Sequence, residues 1–196
     1  METLFRKGIY QILKIFYENK NFKVHLRELS RRTNLNENSI SRFLNELVDS
    51  KILISKKEDS VRKFCISSKF DKVIFSIFDF ERFIKLPFKR RKSIEDYLGN
   101  LKIKPFCLIL FGSSARGNTN INSDLDLLEI SESKNNFFEI SKKIESERGI
   151  KLQIIRLKLS DLSKAIKNQD SVILSAINTG FPVFGKEFFY GVIKNE

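Results

Sequence analysis

Apolar residues early in the chain keep a helical period. Ile9, Ile12, Leu13 and Phe16 fall at i, i+3, i+4 and i+7, one face of a helix. Residues 26–32 predict a second helix with His25 at its start. The polar turn 33–36 ends it, and Asn36 is placed to cap a third helix. That helix, 37–50, repeats the spacing with Ile40, Phe43, Leu44 and Leu47. Asn38, Ser39, Ser41, Arg42 and Asn45 are left on its outer faces. After Lys51 come two strand-like runs, 52–55 and 62–66, around a polar loop at 56–60.

The middle of the chain is greasier. Val73, Ile77, Phe80 and Ile84 recur at i, i+4, i+7 and i+11, widened by Ile74, Phe75, Phe78 and Phe83. A helix apolar on several sides must be covered, by the flanking domains or by a second subunit of a homodimer. Pro87 interrupts it. The four cations Lys89-Arg90-Arg91-Lys92 come next, suited to nucleic-acid backbone, to nucleotide phosphates or simply to solvent. A helix holding Asp96, Tyr97 and Leu98 leads into 106–111, an unbroken apolar run that reads as a buried strand. Strands at 123–130 and 151–157 and helices at 137–147, 161–167 and 171–178 complete the pattern, with a closing turn and short strand at 179–185. Phe137, Ile140 and Ile144 face inward on the first of those helices, and Asp161 is placed to cap the second.

Composition narrows the class. The chain has 196 residues and is 41% hydrophobic, enough for one or two globular domains. No apolar run is long enough for a membrane span, and no signal peptide is evident at the start, so no membrane partner is expected. Cys65 and Cys107 stand far apart, as in a reduced, cytoplasmic chain. One histidine and two cysteines leave no zinc set and no histidine triad.

Charge is lopsided. Residues 1–104 hold 24 Lys/Arg against 13 Asp/Glu, and residues 105–196 hold 12 against 11. A basic half beside a neutral half points to a nucleic-acid-binding module joined to a second module. A lysine-rich solubilising surface is the bland alternative. Three helices and then a two-stranded wing make a winged helix-turn-helix, and the string 25–53 resembles prokaryotic winged-helix regulators. The resemblance implies DNA as partner, with helix 37–50 in the major groove. Asn38, Ser41, Arg42 and Asn45 are then candidates for base edges, with Ser39 a further DNA-binding candidate on the same helix. Arg31, Arg32, Lys56, Lys57, Arg62 and Lys63 are candidates for phosphates. The alternative is a winged helix used for protein contacts or dimerisation.

The densest chemistry lies at 112–127. The turn Gly112-Ser113-Ser114 comes directly after the buried strand, so backbone N–H groups can face an anion, and Ser113 is placed to cap a short helix there. Asp124 and Asp126 are two apart in the next strand, on one face and about 7 Å apart. Leu125, Leu127 and Glu129 take the other face. Two hard oxygen donors so placed can hold one Mg²⁺ or share two about 3.5–4 Å apart. The alternative is a Gly-Ser turn beside a solvated edge strand.

Gly112-Ser113, ten residues, then Asp124-Leu125-Asp126 resembles the signature of the minimal nucleotidyltransferases in the DNA polymerase β-like superfamily. The resemblance spans roughly residues 93–190. It implies a mixed sheet flanked by helices, Mg²⁺ as cofactor, and ATP or another NTP as substrate. Gly112, Ser113, Ser123 and Arg116 are the nucleotide-contacting candidates, and Asp124 and Asp126 the catalytic and metal-binding ones. The family's third carboxylate, on a later strand, is missing: strand 151–157 has no acid, and Gln153 occupies the matching position. An amide is neither a useful base nor a strong metal ligand.

The expected organisation is α+β: a winged helix-turn-helix at 1–68, a linker helix and basic segment at 69–92, and a nucleotidyltransferase-like domain at 93–196. The expected function is Mg-dependent adenylyl transfer from ATP to a protein or nucleic-acid hydroxyl, regulated through DNA. Minimal nucleotidyltransferases often serve as antitoxins to a helical toxin-like protein, which here is expected to be a separate chain. The alternative is a DNA-binding transcriptional regulator whose weakened nucleotidyltransferase domain senses nucleotide.

Overall fold

The computed structural model describes residues 5–18, 23–58, 60–117, 123–133 and 136–193. The chain divides into two compact units, Met1–Phe78 and Asp79–Glu196. The centre of the ten-residue spacer (118–122), Asp59 of the polar loop and the first four residues lie outside the described residues.

In the first unit α1 (Lys7–Glu18), α2 (Leu26–Thr33) and α3 (Glu37–Asp49) pack with a small antiparallel sheet. Its order is β1 (Val24–His25), β3 (Val61–Ile66), β2 (Leu53–Glu58). Ile12, Leu13, Ile40 and Leu44 are fully buried, as the helical spacing predicts, and Leu29 of α2 is buried with them. Phe43 is only half-buried: its ring lies where a Cβ on Gly8 of α1 would stand, 2.3 Å away. His25 caps α2 by accepting from the Glu28 N–H at 3.3 Å, and Asn36 caps α3 by accepting from the Ser39 N–H at 2.8 Å.

Two local expectations change. The polar loop 56–60 is largely strand, because Lys56, Lys57 and Glu58 continue β2 in register with β3. Strand β1 has no alternating pattern to reveal it; two residues pair with Lys63 and Phe64.

Helix α4 (Asp71–Lys85) crosses the division between the units. Its buried side in the first unit is Ile74, Phe75 and Phe78, whereas Val73 and Phe80 are 58% and 56% exposed. The stripe 73-77-80-84 is therefore not the packed one. The aromatic residues of α1 decide the face, since Tyr17 stacks on Phe78 with ring centroids 5.1 Å apart.

The second unit is a four-stranded mixed sheet flanked by helices. Its order is β6 (Leu152–Leu157), β5 (Leu125–Ile130), β4 (Cys107–Phe111), β7 (Phe181–Phe184), with β5 and β6 parallel and the other pairs antiparallel. Leu108, Leu110, Leu125, Leu127 and Phe181 form one core with Ile94 and Tyr97 of α5 (Phe88–Asn100) and Ile144 of α7 (Phe137–Arg148). The helices α8 (Leu159–Lys167) and α9 (Ser171–Thr179) precede β7. Asp170 caps α9, but Asp161 does not cap α8. It sits inside the first turn, 3.7 Å from Lys164, because the helix starts two residues earlier than the polar pattern predicts. Cys65 and Cys107 are both free. No described helix is long and apolar enough to cross a membrane.

Candidate functional site

Strand β4 runs directly into a short turn of helix, α6 (Gly112–Ala115). Gly112 opens it at φ +68°, in the left-handed region that favours glycine. A Cβ there would stand 2.0 Å from Asp126 Oδ2, so no other residue fits without moving that carboxylate. The register explains the closeness: Phe111 pairs with Asp126 across β4 and β5. Ser113 lies within the turn rather than capping it, because the helical segment begins at Gly112.

Asp126 is half-buried on β5, and Asp124 is the residue just before the strand, which starts at Leu125. Burial raises the Asp126 carboxyl above its ordinary value, the charge of Asp124 adds to this, and Arg116 and Arg90 oppose it. Two carboxylates under this mutual repulsion suit a hard cation. Glu129, on the opposite face of β5 as expected, is wholly buried and takes no part. It accepts from the Tyr97 hydroxyl and stands 2.9 Å from an Arg156 guanidinium nitrogen.

The basic run at 89–92 is not uniformly solvated. Arg90 is 3% exposed and donates to Ser114 Oγ at 2.7 Å, to the Ser123 carbonyl at 2.6 Å and to Ser123 Oγ at 2.8 Å. A longer contact reaches the Asp124 carbonyl at 3.4 Å. One guanidinium thus ties the Gly-Ser turn to the approach of the aspartate strand. Arg82 of α4 braces the same turn, donating to the Ala115 carbonyl at 2.8 Å and to the Thr179 carbonyl at 3.3 Å. Sequence reasoning missed both arginines as site residues. Arg82 was visible only as a cation in an otherwise apolar helical run, and Arg90 only as one of four adjacent cations.

Gln153 lies beside Asp126 in the parallel ladder and donates to Asp124 Oδ2 at 2.7 Å. Lys151 Nζ lies 3.4 Å from the same oxygen. Among the described residues no group of three or more His, Cys, Asp or Glu could hold a metal ion. Beside Asp124 and Asp126 the β6 position next to Asp126 holds the Gln153 amide rather than a further carboxylate.

The first unit carries the other candidates. Arg42 and Asn45 are exposed on α3, Arg42 lying over the Phe43 ring at 5.2 Å, and Asn38 is exposed near the start of that helix. Ser39 and Ser41 are half-buried. Arg62 donates to Asn45 at 3.0 Å across a cleft of about 700 Å³ that also takes in His25, Arg27, Ser41 and Phe64. The wing cations do not share one surface. Lys57 pairs with Arg62 on one face of the hairpin and Lys56 with Lys63 on the other, as a period of two requires. Lys63 and Lys23 both hold Glu58, at 3.1 and 2.6 Å. Arg31 is exposed, and Arg32 is paired with Glu28 at 2.7 Å.

A comparison with curated proteins finds no match. A solved structure described as the crystal structure of the toxin-antitoxin with AMP-PNP is similar over 53% of this chain and 83% of its own, at 20% identity and a TM-score of 0.39. That likeness says nothing about activity or partner. Residues 92–177, under half of the chain, match the family model of the nucleotidyltransferase domain. They hold the Gly112 turn, both aspartates and Gln153, so the second unit is similar in sequence to the nucleotidyltransferase superfamily, and its mixed, helix-flanked sheet is consistent with that fold.

Proposed function

We propose that residues 93–196 form a nucleotidyltransferase domain that binds a magnesium nucleoside triphosphate, ATP in the first instance. It transfers the nucleoside monophosphate to a hydroxyl of a separate protein or nucleic acid. The observation that carries this reading is the packing of the Gly112 turn against the Asp126 carboxylate, with Asp124 close enough to act on its charge. Ser113, Ser123 and Arg116 flank that point as nucleotide contacts. When bound, the cation neutralises triphosphate charge at the two carboxylates. The chain's own part is to hold the turn, through Arg90 and Arg82, against the strand that carries them.

In the same proposal residues 1–68 are a winged helix-turn-helix that takes the protein to DNA, with 69–92 as the link. Support comes from the exposed Arg42 and Asn45 on α3 beside a hairpin with exposed Lys57 and Arg62. A second reading, a nucleotide-sensing DNA-binding regulator, is favoured by one observation: the Gln153 amide sits on Asp124, where the transferase needs a carboxylate.

The test uses purified protein, Mg²⁺, α-labelled ATP and cell extract as the source of acceptor. Label transferred by the wild type and lost in Asp126→Asn establishes the transferase. ATP binding without transfer selects the regulator. Mg²⁺-ATP affinity unchanged in the Asp124→Asn, Asp126→Asn double variant removes the site from both readings.

A further inference from the structure

Two side chains of one strand segment engage the same carboxylate oxygen. Gln153 Nε2 donates to Asp124 Oδ2 at 2.7 Å, and Lys151 Nζ stands 3.4 Å from it. Gln153 lies at the start of β6, the strand parallel to β5, where register sets it against Asp126, and Lys151 is the residue just before that strand. The position that would complete a three-carboxylate site thus holds a hydrogen-bond donor, and an exposed ammonium two residues before it pairs with the same oxygen.

These contacts set the charge balance around the two aspartates. Arg90 and Arg116 both act on Asp126, and Lys151 pairs with Asp124. Three cationic side chains surround two carboxylates. Two divalent cations sharing these carboxylates would face that positive charge without the third acid that offsets it. The triphosphate brings its own negative charge with either number of cations, so what separates the two cases is geometric: Asp124 Oδ2 is already engaged by Gln153 and Lys151, which leaves fewer carboxylate oxygens for a second cation.

We infer, on the footing of the nucleotide site proposed above, that Lys151 and Gln153 make this a one-cation site. Lys151 supplies the second positive charge beside Asp124, Gln153 withholds the third carboxylate, and a single divalent cation enters with the nucleotide. Both residues are specificity-determining positions for the metal content of the site.

The test counts bound Mn²⁺ by electron paramagnetic resonance on the full chain with α,β-methylene-ATP, a probe that gives no transfer. One Mn²⁺ per chain is expected in the wild type. Two are expected in Gln153→Glu, which keeps the amide's shape, or in Gln153→Asp, whose shorter side chain is an independent check. Gln153 is exposed, so neither substitution is expected to disturb the fold. Lys151→Met is expected to raise Mn²⁺ affinity without nucleotide about threefold, as befits the loss of an exposed competing cation. Two Mn²⁺ in the wild type overturn the inference and leave the transferase reading intact. One Mn²⁺ in the wild type and in both Gln153 variants overturns it as well. A wild type that binds neither nucleotide nor Mn²⁺ overturns the nucleotide site together with the inference.

Discussion

The two units use charge in opposite ways. In the first, cations lie at the surface: Arg31, Arg42, Lys56, Lys57 and Arg62 are exposed, and the ion pairs of Lys23, Lys63 and Arg32 are at least partly solvated. In the second, charge is built into the frame. Arg90 is buried between the Gly-Ser turn and Ser123, and Glu129 is buried between Tyr97 and Arg156. Surface charge costs little to place and is free to meet a partner, whereas a buried charge must be satisfied within the fold and fixes geometry instead. The first unit therefore presents a surface, and the second holds two carboxylates in place.

Replacing Arg90 tests that contrast most severely. Arg90→Met leaves Ser114, Ser123 and the Ser123 carbonyl without their charged donor. A loss of about 3 kcal/mol in chemical denaturation is expected, together with loss of nucleotide binding. Arg90→Lys, which keeps the charge without the fork, should recover only part of either.

Gly112→Ala comes next. The left-handed backbone costs about 1 kcal/mol, and the new methyl group displaces the Asp126 carboxylate. Mg²⁺-ATP affinity measured by calorimetry should fall at least tenfold while the melting temperature moves by a few degrees.

In the first unit the changes should touch binding and spare the fold. Arg42→Ala is expected to weaken DNA binding and relax sequence preference, whereas Lys57→Ala weakens it uniformly and lowers the salt slope by about one. Equal effects of both variants on every sequence would mean that α3 reads no bases.

The smallest effects concern pH and have opposite signs in the two units. Hydrogen bonds from Lys23 and Lys63 hold the Glu58 carboxyl below its usual value. Its stabilisation is therefore full at neutral pH and is lost as pH falls through that lowered value. Glu58→Gln should melt slightly lower at pH 7, and the difference should vanish once the pH has fallen below that lowered value. Asp126 is raised by burial and by Asp124, so its charge costs stability at neutral pH and the cost is relieved on acidification. Asp126→Asn should melt slightly higher at pH 7 in the absence of metal, and that gain should shrink as pH falls. Stability lost in both variants would mean that the aspartate is structural rather than reserved for a ligand.

Local signals in the sequence determined the helices α1, α2 and α3, the cap at Asn36, the buried strand before Gly112, and the pairing of a Gly-Ser turn with two aspartates. These depend on neighbours a few positions apart, where period and turn chemistry act directly. The missing acid at Gln153 was equally legible, since its absence needs only the strand's composition. Tertiary structure alone decided the rest. No periodicity shows which face of α4 the aromatic residues of α1 will cover, that β1 pairs with β3, or that Arg90 among four adjacent cations turns inward. Nor does any spacing show that Lys151 and Gln153 meet one oxygen of Asp124, a contact 27 and 29 residues away in sequence. Such contacts are set by sheet register and by the closing of long loops, and a one-residue shift of either strand would send the same side chains to the other face.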